Sequence, residues 1–341
     1  MRWLVVTDDF PPLDGGVATW TEAVASALHR EGHVVTVLAR SRAGLGRGLP
    51  YRVIGVPGPS FARRGALWTA IAAAPMLPRV DRVLATTWPV ATVLAPLAAR
   101  VGVPLDVVAH GSDVTRPARD PAAFARTFRS ATRVFAVSGY LRDRLAARGV
   151  HADVLAPPVD VGGPIERVRT GDAWVMVGRA TSLKGGDRFV RLVRAARARG
   201  TVFGDGPLRG QWEALATSIG ADVRFRGNVS RSALAAELPS FDVAFLLPRT
   251  EADGAGAEGF GLALVEAAAA GVATVGCRTG GVPEAVGAGL LLDDPDDASA
   301  SASIVRAWWS PERGEGCRAW ARDHAGTARV ARRLVDSRPH L

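Results

Sequence analysis

The chain has 341 residues, 48% hydrophobic and 22% charged, which is a globular balance, and its length predicts two domains of about 150 residues each. Two cysteines, Cys277 and Cys317, and six scattered histidines exclude a disulfide framework and a metal site of the usual ligand spacing. The net charge of +9 fits an anionic ligand, an anionic membrane surface or nucleic acid, and no zinc-finger spacing, aromatic RNA motif or basic arm supports the last of these.

Met1 to Val6 is a short strand-like run that enters Asp8-Asp9 without a cleavage region. No apolar run reaches the ~18–20 residues that span a membrane, so a cytoplasmic protein is expected. Trp3–Val6 reads as a buried strand. Val17, Trp20, Val24, Ala27 and Leu28 then recur at helical spacing until Gly32. Strands are expected at His33–Ala39, Arg52–Val56, Arg82–Ala85, Leu105–Ala109 and Arg133–Val137. Around 156–172 the periodicity stops at Pro157-Pro158 and Gly162-Gly163-Pro164, a linker composition. Alternation restarts with strand Ala173–Val177 and helix Asp187–Arg199. Thr201–Phe203, Asp222–Phe225, Val243–Leu247 and Val272–Gly276 follow as strands, and Arg318 to Asp336 reads as a basic helix. Strands alternating with helices predict two mostly parallel sheets covered on both faces.

In such sheets ligands bind beyond the carboxyl ends of the strands, where the unusual residues of this chain fall. Gly15 and Gly16 follow the first strand and let backbone approach an anion at a helix start. His110 follows the strand Leu105–Ala109 beside Gly111. After Ala173–Val177, Arg179 and Lys184 bracket a loop and can neutralise a diphosphate. Lys184 is the only lysine of the chain. Phe203-Gly204-Asp205-Gly206-Pro207 and Phe225-Arg226-Gly227-Asn228-Val229 are strand-to-helix turns that can frame a base. In Glu258-Gly259-Phe260-Gly261-Leu262-Ala263-Leu264-Val265-Glu266, small residues lead into a helix whose start suits a phosphate. The flanking carboxylates would repel phosphate and instead suit sugar or ribose hydroxyls. A dinucleotide-binding oxidoreductase would need G-x-G-x-x-G after the first strand and an acid after the second, which ends in Ala39-Arg40.

Together these motifs resemble the family-4 retaining glycosyltransferases of GT-B fold. The resemblance runs in order along nearly the whole chain. Pro11 to Gly16, Ala109-His110-Gly111, Ala136-Val137-Ser138 and Pro157-Pro158-Val159-Asp160 are similar to the family's first-half segments. Val177-Gly178-Arg179 with Lys184-Gly185, Gly204-Asp205-Gly206-Pro207, Gly227-Asn228-Val229, Glu258 to Glu266 and Gly280-Gly281-Val282-Pro283-Glu284 are similar to its second-half segments.

The resemblance implies two doubly wound Rossmann-like domains facing a central cleft. The acceptor-side domain would be 1–160, completed by a C-terminal helix at 318–338, and the donor domain 161–317. Arg179 and Lys184 would hold the donor diphosphate, Glu258 the sugar and Glu266 the ribose. Phe260, Gly261 and Leu262 would contact phosphate and sugar through backbone amides. Gly15 and Gly16 would close over the diphosphate, His110 would lie near the transferred sugar, and Gly204, Asn228 and Val229 would frame the base. The implied reaction moves a hexosyl group from a GDP- or UDP-sugar to a hydroxyl, with retention, no cofactor and no metal. The leaving phosphate would assist a front-face displacement.

The acceptor is open between a lipid intermediate, a glycan and a small metabolite. Phe61 to Trp68, running on to Met76 and Leu77, is basic and then apolar, and a peripheral contact with the inner face of the plasma membrane is one reading of it. A helix packed on the first sheet is the other. Two further readings of the chain are a sugar phosphorylase or epimerase on the same plan, and a non-enzymatic binder of anionic surfaces or nucleic acid.

Overall fold

The computed structural model describes residues 1–13, 15–57, 71–115, 121–162, 169–250 and 256–336. Contacts divide the chain into two units, Met1–Pro158 with the segment from Thr327, and Val159–Gly326.

The first unit holds a seven-stranded parallel sheet. Its strands are β1 (Arg2–Val6), β2 (Val34–Arg40), β3 (Arg52–Val56), β4 (Arg82–Ala85), β5 (Leu105–Ala109), β6 (Arg133–Ala136) and β7 (Asp153–Val154). They lie in the order β3-β2-β1-β4-β5-β6-β7. β1 registers Trp3 to Val35 on one side and to Arg82 on the other. Its last four residues are buried, as a strand covered on both faces requires. The order reverses between β1 and β4, and there Thr86 Oγ1 donates to Thr7 Oγ1 at 2.8 Å, joining the two strand ends.

The second unit holds a six-stranded parallel sheet of β8 (Ala173–Val177), β9 (Arg199–Phe203), β10 (Val223–Gly227), β11 (Val243–Leu246), β12 (Ala273–Cys277) and β13 (Leu290–Leu292). The order is β10-β9-β8-β11-β12-β13, the doubly wound order, with its switch between β8 and β11. Trp174, Phe189, Phe245 and Trp212 anchor the core on this sheet.

Several boundaries differ from the expected ones. The helix expected over 187–199 spans Gly186–Ala196, because Arg197 turns left-handed and β9 starts at Arg199. β7 and β13, of two and three residues, are too short to show a period. The single C-terminal helix expected over 318–338 is two helices, Arg313–Ala325 and Thr327–Asp336. At Gly326 the backbone is extended, and the Ala325 carbonyl accepts from Val159 N–H at 2.8 Å. Arg313–Ala325 therefore stays in the second unit, against the helix Leu262–Ala269 and β12, and only Thr327–Asp336 joins the first. There it packs on the helix Gly16–Arg30 and buries Val330, Ala331 and Leu334. Of the segment considered for lipid contact, 61–70 lies outside the described residues; Ala74–Arg79 is a 3-10 helix with Leu77 buried.

Candidate active site

In the second unit the loops beyond the carboxyl ends of β8, β9 and β10 are fused backbone to backbone. Gly178 N–H donates to the Phe203 carbonyl at 2.9 Å, Ala180 N–H to Asp205 at 3.0 Å, and Gly204 N–H to Gly227 at 2.7 Å. A β-carbon at Gly204 would overlap the Gly178 carbonyl, and one at Gly206 would lie 2.6 Å from the Ala180 carbonyl oxygen. Glycine is thus required by close approach as well as by the positive φ of both residues. Asn228 is exposed and Val229 half-buried at the end of β10, followed by Ser230, whose side chain caps the helix Arg231–Glu237.

Lys184 ends a 3-10 turn, Ser182–Lys184, and Gly185 continues it at φ 66°. There is no space for a β-carbon at Gly185, because the Leu247 carbonyl beyond β11 occupies it. The turn therefore rests on the end of the neighbouring strand at the switch point.

Lys184 Nζ donates to Glu258 Oε2, joining two loops 74 residues apart in sequence. The two side chains are 23% and 13% exposed, so the pair is sheltered yet reachable. Arg179 is exposed and forms no ion pair among the described residues. With Lys184 balanced by Glu258, the guanidinium leaves the loop net positive, which suits a diphosphate.

Gly261, at φ 114°, begins the helix Leu262–Ala269 without a side-chain cap and without an acid in its first turn. Among the described residues the Leu262 and Ala263 amides therefore meet no side-chain cap, at the positive end of the helix, while Leu264 N–H donates back to the Gly261 carbonyl at 2.9 Å. Glu266 lies four residues after Leu262, on the same face. It is 26% exposed, and Arg231 Nη2 approaches its Oε1 at 3.7 Å. Burial raises the Glu266 pKa, and the Arg231 charge opposes the rise. Phe260 is buried behind the turn.

In the first unit, Gly15 precedes the helix Gly16–Arg30, which also lacks a side-chain cap and a first-turn acid. His110 is buried at the end of β5, edge-on to Trp20 with ring centroids 5.1 Å apart. Its Nε2 finds no hydrogen-bond partner among the described residues. Burial pushes its pKa down to about 4, so the imidazole is neutral at ordinary pH.

The structure thus brings together Arg179, Lys184, Gly204, Asn228, Val229, Glu258 and the Phe260–Glu266 segment around one end of the second sheet. Gly15, Gly16 and His110 belong to the first unit. Sequence reasoning missed Arg231 beside Glu266, and the charged residues that hold the Lys184 turn: Asp187, Arg188, Arg249 and Asp296. Nothing in their spacing marks them.

A model of Glycosyltransferase Family 4 matches residues 14–162, and a model of glycosyl transferases group 1 matches residues 172–309. The GDP-mannose-dependent alpha-(1-6)-phosphatidylinositol monomannoside mannosyltransferase of Mycobacterium tuberculosis (strain CDC 1551 / Oshkosh) is 30% identical over 86% of this chain and 85% of its own. The chain belongs to glycosyltransferase family 4. The protein of the same name from Mycolicibacterium smegmatis is 29% identical to this family-4 enzyme over 94% of each chain. Among solved structures, Anabaena Alr3699/HepE in complex with UDP shares the GT-B fold, with a TM-score of 0.76 at 18% identity over 98% of this chain and 99% of that one. This family-4 glycosyltransferase has two parallel-sheet α/β units, of seven and six strands.

Proposed function

We propose that this glycosyltransferase moves a mannosyl group from GDP-mannose to a hydroxyl of a phosphatidylinositol-type lipid, with retention and without a metal. The observation that carries the reading is the Lys184–Glu258 pair beside the open start of the helix Leu262–Ala269. It sets a cation, a hydroxyl-binding carboxylate and free amides at one sheet end, the groups a sugar diphosphate needs. The donor and acceptor come from the names of the relatives, each of which is called a GDP-mannose-dependent mannosyltransferase acting on a phosphatidylinositol monomannoside.

Arg179, Lys184 and the amides of Phe260, Gly261 and Leu262 take the diphosphate. Glu258 accepts hydrogen bonds from the sugar, Glu266 from the ribose, and Gly204, Asn228 and Val229 frame the base. Gly15, Gly16 and His110 of the first unit take the roles that the resemblance gives them. The bond from the anomeric carbon to the diphosphate oxygen breaks while the acceptor oxygen bonds to the same face of that carbon. The acceptor proton passes to the departing diphosphate oxygen, so no protein base and no glycosyl-enzyme is required. Arg179 and Lys184 stabilise the charge that develops on that oxygen. A lipid acceptor brings the protein to a membrane surface, and no described helix is long and apolar enough to cross one.

The test is transfer from labelled GDP-mannose to phosphatidylinositol monomannoside vesicles in EDTA, with UDP-glucose in parallel. An α-linked mannosyl lipid is expected. Transfer only from UDP-glucose would overturn the donor, a β-linked product the stereochemistry, loss of transfer in EDTA the metal independence, and a trapped mannosyl ester on Glu258 the front-face course.

A further inference from the structure

We propose that Arg188 is a positioning residue for the donor diphosphate, acting through Lys184 by clamping the lysine's turn onto the end of β11. The inference rests on the assignment of Lys184 to the diphosphate.

Arg188 lies in the first turn of the helix Gly186–Ala196, where a cation meets the positive end of the helix dipole. The position is unfavourable on local grounds, so its reason is tertiary. The side chain is 11% exposed, and its donors must find acceptors. Nη1 donates to the Leu247 and Pro248 carbonyls at 3.2 and 2.6 Å. Nε and Nη2 donate to the two carboxylate oxygens of Asp296 at 2.7 and 2.5 Å.

The Leu247 carbonyl is the group on which Gly185 packs without room for a β-carbon. β11 ends at Leu246, so Leu247 and Pro248 lie past the strand, and Arg188 fixes their direction. A second arginine closes the frame from the other side. Arg249 N–H donates to the Leu183 carbonyl at 3.1 Å. Its guanidinium holds Asp187 at 2.6 and 2.8 Å and Asp296 at 3.2 Å.

Residues on both flanks of Lys184 are therefore tied to 247–249 and share Asp296 as a common anchor. A lysine is a point charge on a flexible stem, so its backbone decides where the ammonium can reach. Loosening the turn removes the ammonium from the diphosphate while leaving base and ribose contacts in place. A purely structural role for Arg188 would not separate the two.

The experiment measures the dissociation constants of GDP and GMP by calorimetry for the wild type, Arg188→Met, Arg188→Lys, Asp296→Ala and Arg278→Met. Arg278 pairs with Asp293 on the exposed surface and serves as the control. The wild type is expected to prefer GDP. In Arg188→Met that preference falls by about tenfold with GMP affinity kept within about twofold, the scale of a lost charge-assisted contact. Arg188→Lys recovers part of it, Asp296→Ala loses part, and Arg278→Met keeps it all. An undiminished preference in Arg188→Met, or an equal loss of GDP and GMP, would overturn the inference. If Arg188→Met does not fold, Arg188→Lys and Asp296→Ala carry the same comparison with the same outcomes. A wild type that binds GDP no better than GMP would instead remove the assignment of Lys184 to the diphosphate, and this inference with it.

Discussion

Gly280 has no room for a β-carbon, because the Glu258 carbonyl oxygen fills that space. Gly280 sits at φ 57°, and the next amide, Gly281 N–H, donates to the same carbonyl at 2.9 Å. A β-carbon at Gly281 would likewise overlap the Gly259 carbonyl. The pair of glycines thus fixes the Glu258 backbone from behind while its carboxylate meets Lys184 in front.

The first prediction follows from that contact. Gly280→Ala must either move Glu258 or strain its own left-handed backbone, at a cost of about 1–2 kcal/mol. Misplacing a substrate-binding carboxylate by about 1 Å costs on the order of 100-fold in turnover. The expected variant is folded, with kcat reduced about that much and a melting temperature lowered by a few degrees. A variant with wild-type turnover would show that the Glu258 backbone does not set the rate.

Most of the two sheets is legible from the sequence, because strands buried on both faces are apolar runs ended by glycine, proline or a charge. The start of Leu262–Ala269 is legible for a similar reason, since glycine passes abruptly into alanine and leucine. The return point of the chain is not. Helical composition continues from Arg313 to Asp336, and Gly326 breaks it only because Ala325 and Gly326 pair with Val159. The frame around Lys184 is invisible for another reason. Its partners are distant, Arg188 and Asp296 being 108 residues apart, and an arginine in a helix's first turn, like one in a loop, looks like solvated surface until the fold brings an acid to it.

Asp106 gives a stability prediction far from the Lys184 turn, in the first sheet. Its carboxylate accepts from Arg133 Nε at 2.9 Å and Nη2 at 2.5 Å, and from Arg82 Nη1 at 3.0 Å. Asp106 and Arg133 are both fully buried. Asp106→Ala leaves the Arg133 guanidinium in the core without its anion and should cost about 3–5 kcal/mol. Replacing both, Asp106→Leu with Arg133→Met, should recover much of that loss. Urea unfolding of the two variants decides it; a single variant within ~1 kcal/mol of the wild type would mean that water reaches the pair.

His110 predicts a pH dependence whose sign is fixed by its burial. The folded imidazole resists protonation until about pH 4, whereas the unfolded chain takes the proton near 6.5. Between those values the unfolded state binds more protons. The stabilisation is therefore complete above pH 6.5 and is lost as pH falls towards 4, by about 3 kcal/mol in all. His110→Gln should flatten that part of the stability profile. An unchanged slope in the variant would assign the acid sensitivity to other groups.

Arg197 is the last test, and its effect runs the other way. It caps the helix Gly186–Ala196 at φ 51°, the one positive φ outside glycine among the described residues. The turn still closes well, with Ala198 N–H donating to the Val193 carbonyl at 3.1 Å. A side chain in this conformation costs about 1–2 kcal/mol, part of which glycine gives back through the freedom of its unfolded chain. Arg197→Gly should stabilise the second unit by about 0.5–1 kcal/mol, while Arg197→Ala, with the same β-carbon, should not. Comparing the two variants separates backbone strain from the arginine's charge at the helix end. If Arg197→Gly is the less stable of the pair, the strain argument fails, and the wild-type residue is held by more than its backbone.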